Sequence, residues 1–155
     1  MSHAKNEPVE HLRQRHFRLR FLLRWIISCH VAKQEKAKVM AIVHDEKQVR
    51  DSLHDLMQSA GFRSLEFASA EEFVNSGERE YTACLITDIR MPGVSGLELQ
   101  TKLKQDHYRI PIIFITAQRD EKMRMQALRA GPVKFLTKPF NDEVLLEGVR
   151  VALDS

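Results

Sequence analysis

The feature that most constrains this chain is a fivefold alternation, from residue 39 onwards, between short apolar runs and amphipathic helical stretches. The apolar runs are Val39–Val43, Ser64–Phe67, Ala83–Thr87, Ile112–Ile115 and Phe135–Thr137. Each has the length of a strand, and several lack polar alternation, as expected of strands buried on both faces. Between them the apolar spacing turns helical. Val49, Leu53, Leu56, Met57 and Ala60 follow i, i+4, i+7, i+8 and i+11, and Gly61 stands where a helix C-terminus wants a left-handed residue. Ser69 with Glu72, and Ser95 with Glu98, have capping-box spacing. Asn141 is placed to cap a last helix carrying Leu145, Val149 and Ala152, and Gly131 to end one of roughly 119–130.

Strand and helix alternating five times predicts a five-stranded parallel sheet with helices on both faces, because each right-handed crossover lays its helix over the sheet. In such sheets the functional crevice lies outside the carboxyl ends of the strands. The residues at those ends are His44, Asp45 and Glu46, then Asp88, Thr116 and Lys138.

Their chemistry is mutually consistent. Asp45 and Asp88 converge where the first and third strands are neighbours, and two carboxylates about 4 Å apart repel by roughly 4 kcal/mol at an effective dielectric near 20. A hard divalent cation such as Mg²⁺ relieves that repulsion, since it prefers oxygen ligands. Lys138 adds an ammonium and Thr116 a hydroxyl. The set describes a pocket for a doubly charged tetrahedral group, the electrostatics of phosphoryl transfer, in which an aspartate can be the nucleophile.

The segments "HDEKQVRDSL", "FASAEEF", "CLITDIRMPGVSGLEL", "PIIFITA", "ALRAG" and "FLTKPF", in this order over about residues 37–153, resemble the receiver domain of bacterial two-component response regulators, most closely the FixJ-like branch. The resemblance implies a flavodoxin- or CheY-like (βα)5 fold for residues 37–155, preceded by a basic arm, 1–36. It implies Asp88 as phosphoacceptor and Mg²⁺ held by Asp45, Asp88 and the backbone carbonyl of Arg90, with His44 as a further candidate ligand. Thr116 and Lys138 would contact the phosphoryl group. Thr116 and Phe135 would be switch residues, altering the surface of the fourth helix, fifth strand and fifth helix, through which a homodimer would also form. A sensor histidine kinase is the implied partner. A DNA-binding output domain is usual in this branch, so this is expected to be either a single-domain receiver or one whose output domain or partner protein is not in this chain. The implied activity is a phosphorylation-driven switch with at most slow self-dephosphorylation, not an enzyme.

Two departures matter. The family usually has two adjacent acids where this chain reads His44-Asp45, and imidazole suits transition metals better than Mg²⁺. His44 therefore reads first as a hydrogen-bonded neighbour of the site and second as a ligand, with Glu46 starting outside the pocket. Pro132 in "AGPVKF" stands where a small residue is usual. The alternative function is a receiver-like binding scaffold with weak or no phosphorylation. An aspartyl-phosphate hydrolase would carry an acid two residues after the nucleophile, where Arg90 stands. Phe135 is equally consistent with plain core packing, and His54 and His107 read as solvent-facing.

Charge separates the two parts. Residues 1–38 hold nine Lys/Arg and three acids, whereas residues 39–155 hold fifteen and eighteen. The arm places Phe17, Phe21 and Trp25 at i, i+4, i+8 with Arg13, Arg20 and Arg24 on another face, a basic amphipathic pattern, helical or disordered. No apolar stretch approaches the roughly 18 residues of a membrane span. Cys29 and Cys84 have no metal-ligand spacing and are too few for a disulfide framework. Cys84 reads as core, which suits a reducing, cytoplasmic setting.

Overall fold

The computed structural model describes residues 39–117, 121–131 and 133–154. The chain divides between Ala37 and Lys38. The basic arm, the expected start of the fourth helix near 119 and Pro132 all lie outside the described residues.

Among the described residues five strands and five helices alternate. They are β1 (Val39–Val43), α1 (Lys47–Ser59), β2 (Ser64–Phe67), α2 (Ala70–Asn75), β3 (Thr82–Thr87), α3 (Gly96–Gln105), β4 (Ile112–Thr116), α4 (Glu121–Ala130), β5 (Val133–Thr137) and α5 (Asp142–Leu153), with a short 3₁₀ turn at Glu78–Tyr81 before β3. All strand pairs are parallel, in the order β2-β1-β3-β4-β5. The expected α/β class is the observed one. Three strands run longer than the apolar runs suggest: β3 starts at Thr82, β4 continues through Thr116 and β5 starts at Val133. Backbone pairing, not apolarity, sets these ends, and Thr116 pairs with Thr137 in the β4–β5 ladder.

Side-chain alternation divides the core between the sheet's two faces. Met40, Ile42, Ile86, Ile113 and Ile115 point to one face, packed with Leu53 and Met57 of α1 and Leu145 and Val149 of α5. Ala41, Val43, Leu85 and Phe114 point to the other, packed with Phe73 of α2, Leu99 and Leu103 of α3 and Ala127 of α4. Every residue of β1 and β4 is buried, which is why those runs show no polar alternation. Cys84 is a buried core residue, and burial pushes its thiol up to about 12.

Local chemistry stops and starts the helices. Gly61, at φ +82°, ends α1: its N–H donates to the Gln58 carbonyl and that of Phe62 to Met57, the paired bonds of a Schellman motif. Ser95 and Glu98 form a complete capping box at α3. At α2 the Ser69 hydroxyl accepts from the Glu72 N–H, but the Glu72 carboxylate reaches the N–H of Ala68 instead of closing the box. Asn141 caps α5 through the Glu143 N–H.

The chain order places β1 between β2 and β3, so the connections leaving β1 and β3 diverge. Val43 pairs with Thr87, and His44-Asp45 and Asp88 therefore emerge side by side at the same sheet edge.

Candidate functional site

Asp88 follows β3 directly, with its side chain 12% exposed. Its Oδ1 accepts the backbone N–H of Arg90 at 3.1 Å, and its Oδ2 lies 3.5 Å from His44 Nε2 and 3.9 Å from Lys138 Nζ. Burial pushes this carboxyl up. The His44 ring, the Arg90 N–H and the Lys138 ammonium outweigh it and hold Asp88 below the usual carboxylate range. Asp88 is therefore a carboxylate at neutral pH.

His44 is the last buried residue of the β1 end, 1% exposed. Its backbone N–H donates to the Phe67 carbonyl at 3.2 Å. One ring nitrogen, Nδ1, lies 3.1 Å from the Glu46 backbone nitrogen and 3.2 Å from Asp45 Oδ1, while Nε2 lies 2.9 Å from Lys138 Nζ. The imidazole stands between Asp45 on one side and Asp88 with Lys138 on the other. The Asp45 carboxylate is 39% exposed and so open to a solvated ion. Donor atoms of His44, Asp45 and Glu46 lie within 4.8 Å of one another, a set able to hold a cation. Glu46 is exposed, as expected, yet closer to this group than a position outside the pocket suggests.

Lys138 arrives from the end of β5, its backbone N–H donating to the Thr116 carbonyl at 2.9 Å across the β4–β5 edge, and the Lys138–Pro139 bond is cis. Thr116 is buried at the end of β4. Phe135 is half-buried and stacks on Phe114 at 5.3 Å, with the Arg124 guanidinium 6.0 Å from its ring. The fold thus brings His44, Asp45, Asp88 and Lys138 together, with Thr116 at the neighbouring strand end, while Phe135 packs on Phe114. Arg90 is exposed, and its N–H contacts the Asp88 carboxylate. Of the other histidines, His107 is exposed. His54 is not simply solvent-facing: it is half-buried between α1 and β2, hydrogen-bonded to Ser64 and Gln58.

Two contributors escape a motif-based reading. Arg50 Nη1 donates to the carbonyls of His44 at 2.6 Å and Asp45 at 3.0 Å, fixing the acidic loop from below, and its Nε faces Glu66 Oε2 at 3.9 Å. Its only sequence signal is a positive charge in the first turn of a helix, the unfavourable end. Gly96 opens α3 against the Asp88 carbonyl, so closely that a Cβ there would overlap the carbonyl and lie 3.0 Å from the Phe114 ring.

The fold and this pocket define a parallel α/β domain with acidic chemistry at the carboxyl ends of its central strands. Residues 40–150 match the sequence model of the response regulator receiver domain, and the chain belongs to that family. Nodulation protein W of Bradyrhizobium diazoefficiens is 41% identical over 125 residues, which cover 81% of this chain and 55% of that protein. Response regulator protein TodT of Pseudomonas putida is 43% identical over 119 residues, 77% of this chain and 52% of that one. The chain spans about half the length of the curated relatives it matches. Among solved structures, FixJ-N superposes with a TM-score of 0.69 at 36% identity, covering 77% of this chain and 95% of that one, and the response regulator StyR with 0.70 at 41%, covering 76% and 60%. Receiver domains are in general signalling modules of two-component systems rather than enzymes. Among the described residues no helix is long and apolar enough to cross a membrane.

Proposed function

We propose that this domain is a phosphorylation-driven switch in which Asp88 accepts a phosphoryl group from a sensor histidine kinase. The observation that carries this reading is the Asp88 carboxylate, held ionised at the end of β3 with the Lys138 ammonium 3.9 Å away. In-line transfer breaks the donor's P–N bond and forms an acyl phosphate on a carboxylate oxygen, and the developing charge needs cations around it. Lys138 is one. Receiver domains in general bind Mg²⁺ at an acidic pocket, and the donor set here fits a divalent cation: Asp45 is exposed, Asp88 is ionised, and the Arg90 carbonyl is the third expected ligand. Mg²⁺ would neutralise phosphoryl oxygens when bound. His44 contributes no negative charge to it.

Thr116 and Lys138 then engage the phosphoryl group, Phe135 follows Thr116, and the face of α4, β5 and α5 changes. Leu128 of α4 and Val151 of α5 are exposed, and a second copy, an output domain or a target protein would dock on the face that changes. The relatives named as regulators make a DNA-binding output module the leading downstream element. The second reading, a scaffold with weak phosphorylation, is favoured by the buried imidazole where the family usually has an acid.

Asp88→Asn keeps the shape of the side chain and removes the nucleophile. It should abolish acid-labile phosphate incorporation from acetyl phosphate in Mg²⁺ while leaving the amide spectrum of a folded domain. Equal incorporation in mutant and parent would refute the assignment. Absence of incorporation in the parent at saturating Mg²⁺ would favour the scaffold.

A further inference from the structure

We propose that His44 is a positioning residue for Lys138, holding its ammonium through Nε2 until a phosphoryl group draws it away. The inference rests on the reading of Lys138 as the phosphoryl-contacting cation, and it concerns a residue that departs from the family pattern.

Distances set the preference. Lys138 Nζ is 2.9 Å from His44 Nε2 and 3.9 Å from Asp88 Oδ2, so the ammonium hydrogen-bonds the imidazole and only faces the carboxylate. The ring cannot follow the lysine elsewhere. It is 1% exposed, its backbone N–H is tied to Phe67, and its carbonyl is tied to Arg50.

A neutral imidazole has one N–H and one acceptor nitrogen, so its contacts cannot all be satisfied together. In one tautomer Nε2 accepts from Lys138 at 2.9 Å, while Nδ1–H faces Asp45 Oδ1 at 3.2 Å and opposes the Glu46 N–H. In the other, Nδ1 accepts from the Glu46 N–H at 3.1 Å, and Nε2–H points at Asp88 3.5 Å away and against the ammonium. The first makes one charge-assisted bond and sets an N–H beside a carboxylate. The second makes one neutral bond and one long contact, and it opposes two donors. Charge-assisted bonds are about twice as strong as neutral ones, and the first tautomer wins. The cost of the first tautomer is the neutral bond from the Glu46 N–H to Nδ1.

An acid at this position would grip Lys138 as an ion pair. An imidazole grips it with one hydrogen bond, which a phosphoryl oxygen displaces readily. His44 thus parks the lysine beside the nucleophile, and with Nε2 accepting, the Arg90 N–H and the Lys138 ammonium are the groups left to hold Asp88 ionised.

The test uses the full chain, labelled with ¹⁵N, in the absence of any phosphoryl donor. Long-range imidazole spectra should show His44 with a protonated Nδ1 and an accepting Nε2. The Lys138 ammonium protons should exchange about tenfold more slowly than those of a free lysine, the effect of one hydrogen bond. Lys138→Met should move the ring proton to Nε2. His44→Asn, which replaces only the Nδ1 side of the ring, should lose the ammonium protection. His44→Gln, whose amide oxygen reaches the Nε2 position, should restore it. Amide spectra establish that each variant is folded, and Lys138→Met serves if the His44 variants are not. A parent ring protonated at Nε2, or a tautomer unmoved in Lys138→Met, overturns the proposal. Neither result bears on phosphate incorporation at Asp88, so the two readings fail separately.

Discussion

Arg50 shows how much of this site is decided one residue at a time. It lies in the first turn of α1, where a positive charge meets the positive end of the helix dipole, and its side chain is only 13% exposed. Two short hydrogen bonds to the His44 and Asp45 carbonyls, with Glu66 opposite, offset that placement. Arg50→Met keeps the apolar stem and removes the guanidinium. We expect a loss of about 1–3 kcal/mol in urea unfolding, the usual consequence of removing charge-assisted bonds to half-buried acceptors. Mg²⁺ binding should weaken severalfold, read from the ion-dependent shifts of amides near Asp88. Arg50→Lys should fall between, since an ammonium cannot span two carbonyls and Glu66 together. An unchanged Mg²⁺ titration in Arg50→Met would show that the loop holds its shape alone. Asp45 and Asp88 were legible from their places after apolar runs. Arg50 was not, because its partners are backbone carbonyls, which carry no sequence signal.

At the scale of elements, α3 separates capping from docking. Ser95 caps it and Gly96 seats it. Ser95→Ala removes the capping box and should cost about 1 kcal/mol of stability, with phosphorylation unaffected. Gly96→Ala drives a methyl group into the Asp88 carbonyl and the Phe114 ring. Overpacking of this kind costs typically about 1–3 kcal/mol, and here it also displaces the phosphoacceptor's own backbone. Parallel urea melts and acetyl phosphate incorporation distinguish the two; equal incorporation by both variants would mean the carbonyl yields without moving the carboxylate. The capping signatures at Ser69, Ser95 and Asn141 were readable because caps are local. Glycine at 96 gave no local sign, since its φ is not in the left-handed region and its reason is a backbone from another element.

At the scale of the molecule, the question is what residues 1–36 add. Among the described residues both faces of the core are built from residues 39 onwards. Deleting 1–36 should therefore leave a cooperative thermal transition within a few degrees of the full chain's. It removes eight Lys/Arg and three acids, turning the formal charge from +3 to −2. Loss of the cooperative transition would make the arm part of the folding unit.

The sequence by itself determined the α/β class, the approximate limits of the five described strands, and the strand ends at which His44, Asp45, Asp88, Thr116 and Lys138 stand. It could do so because apolar periodicity, caps and position at a strand's carboxyl end are properties of a residue and its near neighbours. Only the tertiary structure decided how those residues divide their contacts. His44 lies nearer to Lys138 than Asp88 does, although β1 stands one strand further from β5 than β3 does. These two residues are ninety-four positions apart, and a distance of that kind is fixed by packing, which no local pattern encodes.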